Sequence, residues 1–144
     1  MTLSKEKIFE LINSNPVGYV STSENGKPHV RGILMFRADE NGIIFHTGVT
    51  KDFYKQIVDN QNTEICYACG QYQIRVSGQL EIVEDKALLD EIIAHPSRQF
   101  MRTWIEKGVV KDLYDFVKVC RLKNGKASVW TMESNFLPKE YIQL

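Results

Sequence analysis

The chain has 144 residues, a hydrophobic fraction of 43%, and 18 basic residues against 18 acidic ones. That length suits one domain with a core that needs no disulfide or metal, and the balanced charge gives no reason to expect nucleic acid or an anionic membrane as partner. Three cysteines argue against a disulfide framework, and charges at Lys5, Glu6 and Lys7 fall where a secretory signal is apolar, so a cytoplasmic protein is expected.

Ser4 is placed to cap a helix carrying Ile8, Leu11 and Ile12 on one face and ending near Asn15-Pro16. Strands are expected at Val17 to Ser23, Val30 to Arg37 and Gly42 to Thr47, the first two joined by the Asn25-Gly26 turn signal. A helix from Thr50 to about Asn60 turns Phe53 and Ile57 inward, with Tyr54 and Val58 beside them. Strands resume at Thr63 to Ala68 and Tyr72 to Val83. Asp85 then caps a helix with Leu88, Leu89, Ile92 and Ile93, broken at His95-Pro96, and Ser97 starts a short helix through Trp104. The end reads as a hairpin, Asp115 to Leu122 and Lys126 to Met132, turned by Lys123-Asn124-Gly125. No repeat or Pro/Gly/Ser-rich linker divides the chain, so residues 1–144 read as one domain. Six or more strands with helices at irregular places point to an α+β fold. Its mainly antiparallel sheet removes exposed edges by closing into a small barrel with peripheral helices.

The stretch from Asn25 to Lys51 carries the chemistry. Its second strand runs into His46-Thr47-Gly48-Val49-Thr50-Lys51 just before a helix start. Backbone N–H groups there, hydroxyls and a lysine together suit a phosphate monoester, and Arg31 on the neighbouring strand offers a planar donor fork. A lysine at a helix N-terminus opposes the macrodipole, and such local conflicts mark functional sites. Thr47 and Thr50 also read as plain helix caps.

Gly26-x-Pro28-x-x-Arg31-x-Ile33-Leu34, then Ile44-x-His46-Thr47-x-x-Thr50-Lys51, then Gln73-Ile74-Arg75-Val76-x-Gly78 resembles the pyridoxamine 5′-phosphate oxidase-like FMN-binding split-barrel proteins, over roughly the first two-thirds of the chain. The resemblance implies a homodimer of split barrels with FMN in clefts across the subunit interface. It implies that Arg31 and Lys51 hold the FMN phosphate with Thr47 and Thr50, and that His46 stands where the family often has an aromatic residue. It also implies that Ile33 and Leu34 lie nearest the isoalloxazine ring, that Gln73 reaches the flavin from the same or the other subunit, and that Trp130 packs near the ring edge. The implied function is that of a flavin-dependent oxidoreductase acting on a small molecule, reduced by a nicotinamide cofactor or another donor. The longer oxidases carry a C-terminal Arg-x-His element that Phe136 to Leu144 lacks, so vitamin B6 oxidation is not expected. The alternatives are a non-catalytic flavin or haem carrier or sensor, and a true pyridoxamine 5′-phosphate oxidase.

Other residues read more plainly. Cys66 and Cys69 lie three apart on a strand, on opposite faces, and no second pair completes a zinc site, so no metal is expected. Cys120 reads as a small packed residue. Phe100, Met101, Trp104 and Ile105 read as core or dimer interface, and Arg98 and Arg102, one turn apart, as a solvated face by default or else as a pair reaching a ligand phosphate.

Overall fold

Ser4 accepts the Lys7 backbone N–H through its Oγ and starts helix α1 (Lys5–Ser14), which buries Ile8, Phe9 and Ile12. The computed structural model describes residues 2–144. After α1 come β1 (Val17–Glu24), β2 (Lys27–Leu34), β3 (Arg37–Asp39), β4 (Gly42–Gly48) and α2 (Asp52–Asp59). Next are β5 (Asn62–Cys69), β6 (Tyr72–Val83), α3 (Lys86–Ala94), a 3₁₀ turn (Pro96–Arg98) and α4 (Gln99–Glu106). A one-turn α5 (Leu113–Phe116), β7 (Val117–Trp130) and β8 (Ile142–Gln143) complete the chain. The strands form one sheet in the order β2-β1-β5-β6-β7-β4-β3, with β8 added to β7, and every pairing is antiparallel. The expected mainly antiparallel split barrel with peripheral helices is the observed fold.

The first hairpin turns through Asn25 and Gly26, with φ of 53° and 76°, the left-handed pair a tight two-residue turn requires. Pairing begins at Lys27, so the strand starts three residues earlier than the Val30 expected. It tolerates Pro28 because β2 is a terminal strand of the sheet, where a missing N–H costs no ladder bond. The expected single strand to Arg37 instead breaks at Met35-Phe36. There the Met35 N–H bonds the Pro16 carbonyl at 2.7 Å and the Phe36 N–H bonds the Ile44 carbonyl at 2.7 Å. The chain changes partner at that step, from the β1 side of the sheet to the β4 side.

The C-terminal hairpin is absent, and Asp115 lies in α5. Val117 to Trp130 is one strand that pairs along the length of β6, from Val83↔Val119 to Gln73↔Trp130. Lys123-Asn124-Gly125 forms an irregularity within it, where Asn124 takes a φ of 56° and the register with β6 shifts between Ser77 and Gln79. The cause is the unbroken partner: a twelve-residue β6 holds both halves in line, and the left-handed Asn is absorbed as a bulge. Gly78 allows the close approach, since a Cβ there would lie 2.6 Å from the Lys123 carbonyl. The bulge also divides the other edge of β7, whose first half pairs with β4 and whose second half pairs with β8.

Two cores result. The barrel core gathers Val20, Phe45, Phe53, Ile57, Ile65, Tyr67, Ile74, Val76, Leu80 and Leu122 with the apolar face of α1. A second core, of Ile44, Leu89, Ile92, Met101, Val110, Leu113, Val117 and Val119, lies under α3–α5. Strand β4 serves both, Phe45 facing the barrel and Ile44 the helices, which explains its continuous apolar run. On α2, Phe53 and Ile57 are buried as expected, but Val58 is exposed and Gln56 takes an inward place. In the second core Met101 is fully buried and Trp104 partly so, while Phe100 and Ile105 stay exposed.

Inside the barrel, Gly18 is closely packed. A Cβ at that position would lie 2.8 Å from side-chain atoms of Ile65, Met35 and Tyr67. Gly18→Ala therefore overpacks the core and is expected to lower unfolding free energy by about 1–3 kcal/mol, read as a lower urea midpoint at unchanged slope.

Candidate functional site

Strand β2 alternates against β1, so Arg31, opposite Val20, points to the same side as the buried Val20 and Thr22. Its guanidinium closes over the end of the barrel against α2. Nη1 donates to the Val20 carbonyl at 3.2 Å and to Thr22 Oγ1 at 2.9 Å, and Nη2 donates to Gln56 Oε1 at 2.7 Å. The group lies 4.6 Å from the centre of the Phe53 ring, and Thr22 Oγ1 itself donates to Gln56 Oε1. Partial burial lowers the Arg31 pKa, but an arginine stays charged at any working pH. Three of its five N–H donors are engaged within the chain, which leaves two for a ligand.

Lys51 is the N-cap of α2 and supplies no side-chain cap, nor does Thr50. The Lys51 N–H instead bonds the Gly48 carbonyl at 3.1 Å. Both Thr50 and Lys51 are exposed, and Thr47 is buried on the barrel side of β4 with Phe45. Among the described residues neither Arg31 nor Lys51 has an ion-pair partner. Lys51 thus stands at the start of α2, where the helix dipole is also positive, and Arg31 packs on Phe53 and Gln56 of the same helix, an arrangement that can hold an anion.

His46 lies on the opposite face of β4 from Thr47, so it joins a different group. Its Nε2 accepts from Arg98 Nε at 3.2 Å, and its ring lies 6.2 Å from that of Phe100. Burial, then the charges of Arg98 and Lys51, depress its pKa to about 4. Arg98 is 1% exposed, so the solvated face expected for it is wrong. The 3₁₀ turn after the His95-Pro96 break aims it inward, where Nη2 donates to the Leu34 carbonyl at 2.9 Å and Nη1 to Ser97 Oγ at 3.0 Å. Arg102 is half-buried and bonds the Ile93 carbonyl.

Gln73 and Trp130 are register partners on β6 and β7, away from both groups. Gln73 Oε1 accepts from Arg75 Nε at 2.9 Å, and Trp130 Nε1 donates to Asn135 Oδ1 at 2.8 Å. They belong to a region where a cleft of about 640 Å³ lies between Tyr72, Arg75 and Trp130 and the arm from Thr131 to Glu140. Leu34 pairs with Val17, Ala68 pairs with Gln73, and the β1–β5 register of Tyr19 with Cys66 sets these in one row across the sheet. Leu34 and Trp130 are then four strand spacings apart, roughly 19 Å along the sheet. Within one chain Arg31 bonds Thr22 and Gln56, Thr47 stands near the end of β4 and Lys51 at the start of α2, and Arg98 links His46 to Leu34. Gln73 and Trp130 lie toward the other end of the row that starts at Leu34. Ile33 is half-buried against the barrel core and Leu34 is exposed.

The three cysteines are free, Cys66 half-buried and Cys69 and Cys120 buried, and burial pushes the Cys120 thiol up to about 12. Among the described residues no group of three His, Cys, Asp or Glu side chains is placed to hold a metal, and no helix is long and apolar enough to cross a membrane. Gln56 and Arg98 are the site residues that sequence reasoning missed. The only signal for Gln56 was its place between Phe53 and Ile57 on the inward face, and for Arg98 its place just after a helix-breaking His-Pro pair.

A split barrel with a cationic helix start beside a free edge strand defines the class. A family model described as pyridoxamine 5′-phosphate oxidase matches residues 4–119, and the chain belongs to that family. It is 26% identical over 100 residues to a pyridoxine/pyridoxamine 5′-phosphate oxidase of Agrobacterium fabrum, covering 68% of this chain and 48% of that one. The chain thus spans about half the length of the curated oxidases it matches. Among solved structures, a NimC/NimA family protein of Clostridium acetobutylicum superposes with a TM-score of 0.74 at 20% identity, over 96% of this chain and 92% of that one. A pyridoxamine 5′-phosphate oxidase-related, FMN-binding protein of Nostoc punctiforme superposes with a TM-score of 0.67 at 17% identity, over 98% and 91%.

The His46 environment has a pH signature. The unfolded chain takes up a proton on this imidazole as pH falls through about 6.5, and the folded protein does so only near pH 4, so the folded state loses stability across that window and is unaffected above it. His46→Phe removes the difference. The stability of the variant relative to the native protein is expected to rise by on the order of 3 kcal/mol between pH 7 and pH 4, measured by urea unfolding at each pH.

Proposed function

We propose that the protein binds FMN and acts as a flavin-dependent oxidoreductase on a small molecule. The observation that carries the reading is that Arg31, packed on Phe53 and Gln56 of α2, and Lys51, at the start of α2, both lack an ionic partner among the described residues, beside the free edge of β2. The two uncommitted N–H groups of Arg31 and the Lys51 ammonium suit a phosphate, in charge-assisted bonds, with Thr47 and Thr50 supplying hydroxyls. As a terminal strand, β2 leaves backbone N–H and C=O groups unpaired along one edge, and Ile33 and Leu34 line it with apolar surface that suits a flat aromatic ring. Flavin, when bound, supplies the hydride and electron chemistry; the chain supplies binding, alignment and hydrogen bonds. A nicotinamide cofactor is the proposed donor.

The second half of the site comes from a second copy of the chain. Val17, Tyr19, Val30 and Leu34 are exposed on one face of β1 and β2, an apolar surface that suits association of two copies. A homodimer brings Gln73 and Trp130 of one subunit toward Arg31 and Leu34 of the other, which the spacing within one chain prevents.

Titration of the native protein with FMN is expected to quench flavin fluorescence at one equivalent per chain. The Arg31→Ala/Lys51→Ala variant is expected to weaken binding by 100-fold or more. Riboflavin, which lacks the phosphate, should bind both proteins equally weakly. A native protein indifferent to FMN refutes the reading.

A further inference from the structure

Arg98 is the most completely buried charged side chain of the described residues, and its guanidinium connects β2, at one end of the sheet order, with β4, the last strand but one at the other. One end reaches Leu34, the last residue of β2, through its carbonyl; the other reaches His46 on β4 through Nε2. We propose that Arg98 is a positioning residue of the flavin site, which fixes His46 as the tautomer with its proton on Nδ1 and ties that ring to the Leu34 carbonyl. The coupling to Leu34 rests on the flavin reading above.

The tautomer follows from donor chemistry. An arginine has only N–H groups to offer, so the imidazole nitrogen facing Arg98 Nε has to accept, and a neutral ring that accepts at Nε2 carries its proton at Nδ1. The charges acting on the ring are Arg98 and Lys51, both positive, and Phe100 packs nearby without charge. Beyond Arg98 the network continues through Ser97 Oγ to His95 Nδ1 at 2.7 Å, again without a carboxylate. Protonation of His46 would set a third cation beside two, so the ring stays neutral in the ordinary range. It therefore presents a donor to whatever approaches Nδ1, and selects ligand atoms that accept, such as a phosphate or carbonyl oxygen, over N–H donors and cations. A lysine in place of Arg98 has the charge but not the planar fork, and cannot serve Leu34 and His46 in the same geometry.

The test joins nitrogen NMR of the histidine rings with FMN affinity, on the native protein and on Arg98→Met, Arg98→Lys and His46→Phe. Expected are an Nδ1-protonated His46 in the native protein without added flavin, a ring shifted toward Nε2 protonation in Arg98→Met, and at least tenfold weaker FMN binding in all three variants. A native His46 protonated on Nε2 overturns the assignment without recourse to any variant. Unchanged FMN affinity in Arg98→Lys and His46→Phe overturns the coupling even if Arg98→Met fails to fold. A native protein that binds no FMN but shows the Nδ1 tautomer overturns the flavin reading and the coupling that rests on it, and leaves the pairing of Arg98 with His46 in place.

Discussion

The change of partner at Met35-Phe36 is the constraint on which the rest of the structure depends. Two successive amides bond to carbonyls on different parts of the sheet, Pro16 before β1 and Ile44 in β4, so the two sides of the barrel are joined by consecutive residues of one chain. Neither bond belongs to a regular ladder. Both are buried features that the surrounding packing has to hold, because an amide left without an acceptor there loses the full value of its hydration. The fully enclosed Met35 side chain anchors the step inside the barrel, directly below Gly18.

That crossing also decides where charge collects. Residues just before it carry Arg31 and the Leu34 carbonyl, and residues just after β4 carry Lys51, so strands distant in sheet order supply one cation packed on α2 and one at its start. Arg31 is held by three acceptors and an aromatic face, so it is preorganised; Lys51 is exposed and mobile on its own stem. An anion meeting this pair finds one fixed fork and one adjustable point charge. Gln56 has a share in this, because its single oxygen receives both Thr22 and Arg31, and without it the guanidinium would keep only its contact with the Phe53 ring as a link to α2.

Local pattern was enough to read most elements. The Ser4 and Asp85 caps, the Asn25-Gly26 turn and the α2 face of Phe53 and Ile57 are short-range features, and each was legible because its cause lies within a few residues. Lys123-Asn124-Gly125 misled because the same residues serve a turn and a bulge, and the choice was made by β6, some 45 residues earlier in the chain. Arg98 misled for a related reason. One turn from Arg102 it has the spacing of a solvated helix face, but the 3₁₀ geometry of Pro96–Arg98 rotates it inward to acceptors at Leu34 and His46. Lys51 was legible as a cation at a helix start because the punctuation after β4 marks that start, and the place of Arg31 on β2 followed from the Asn25-Gly26 turn. The separation of Gln73 and Trp130 from them was not legible, since it depends on how many strands lie between.

The double duty of β4 has a mechanical consequence. The barrel core and the helical core meet through β4 and β7, with Ile44, Val117 and Val119 on the helical side and Phe45, Cys120 and Leu122 on the barrel side, so an opening of the cover formed by α3, α4 and α5 would leave the barrel ladders intact. Such an opening carries Arg98 away from Leu34 and His46 and hydrates the inner surface of β4, and leaves Arg31 seated between Thr22 and Gln56. Amide protection would then fall into two tiers, with the amides of α3, α4 and α5 exchanging through the smaller event and those of β1, β5 and β6 only through global unfolding.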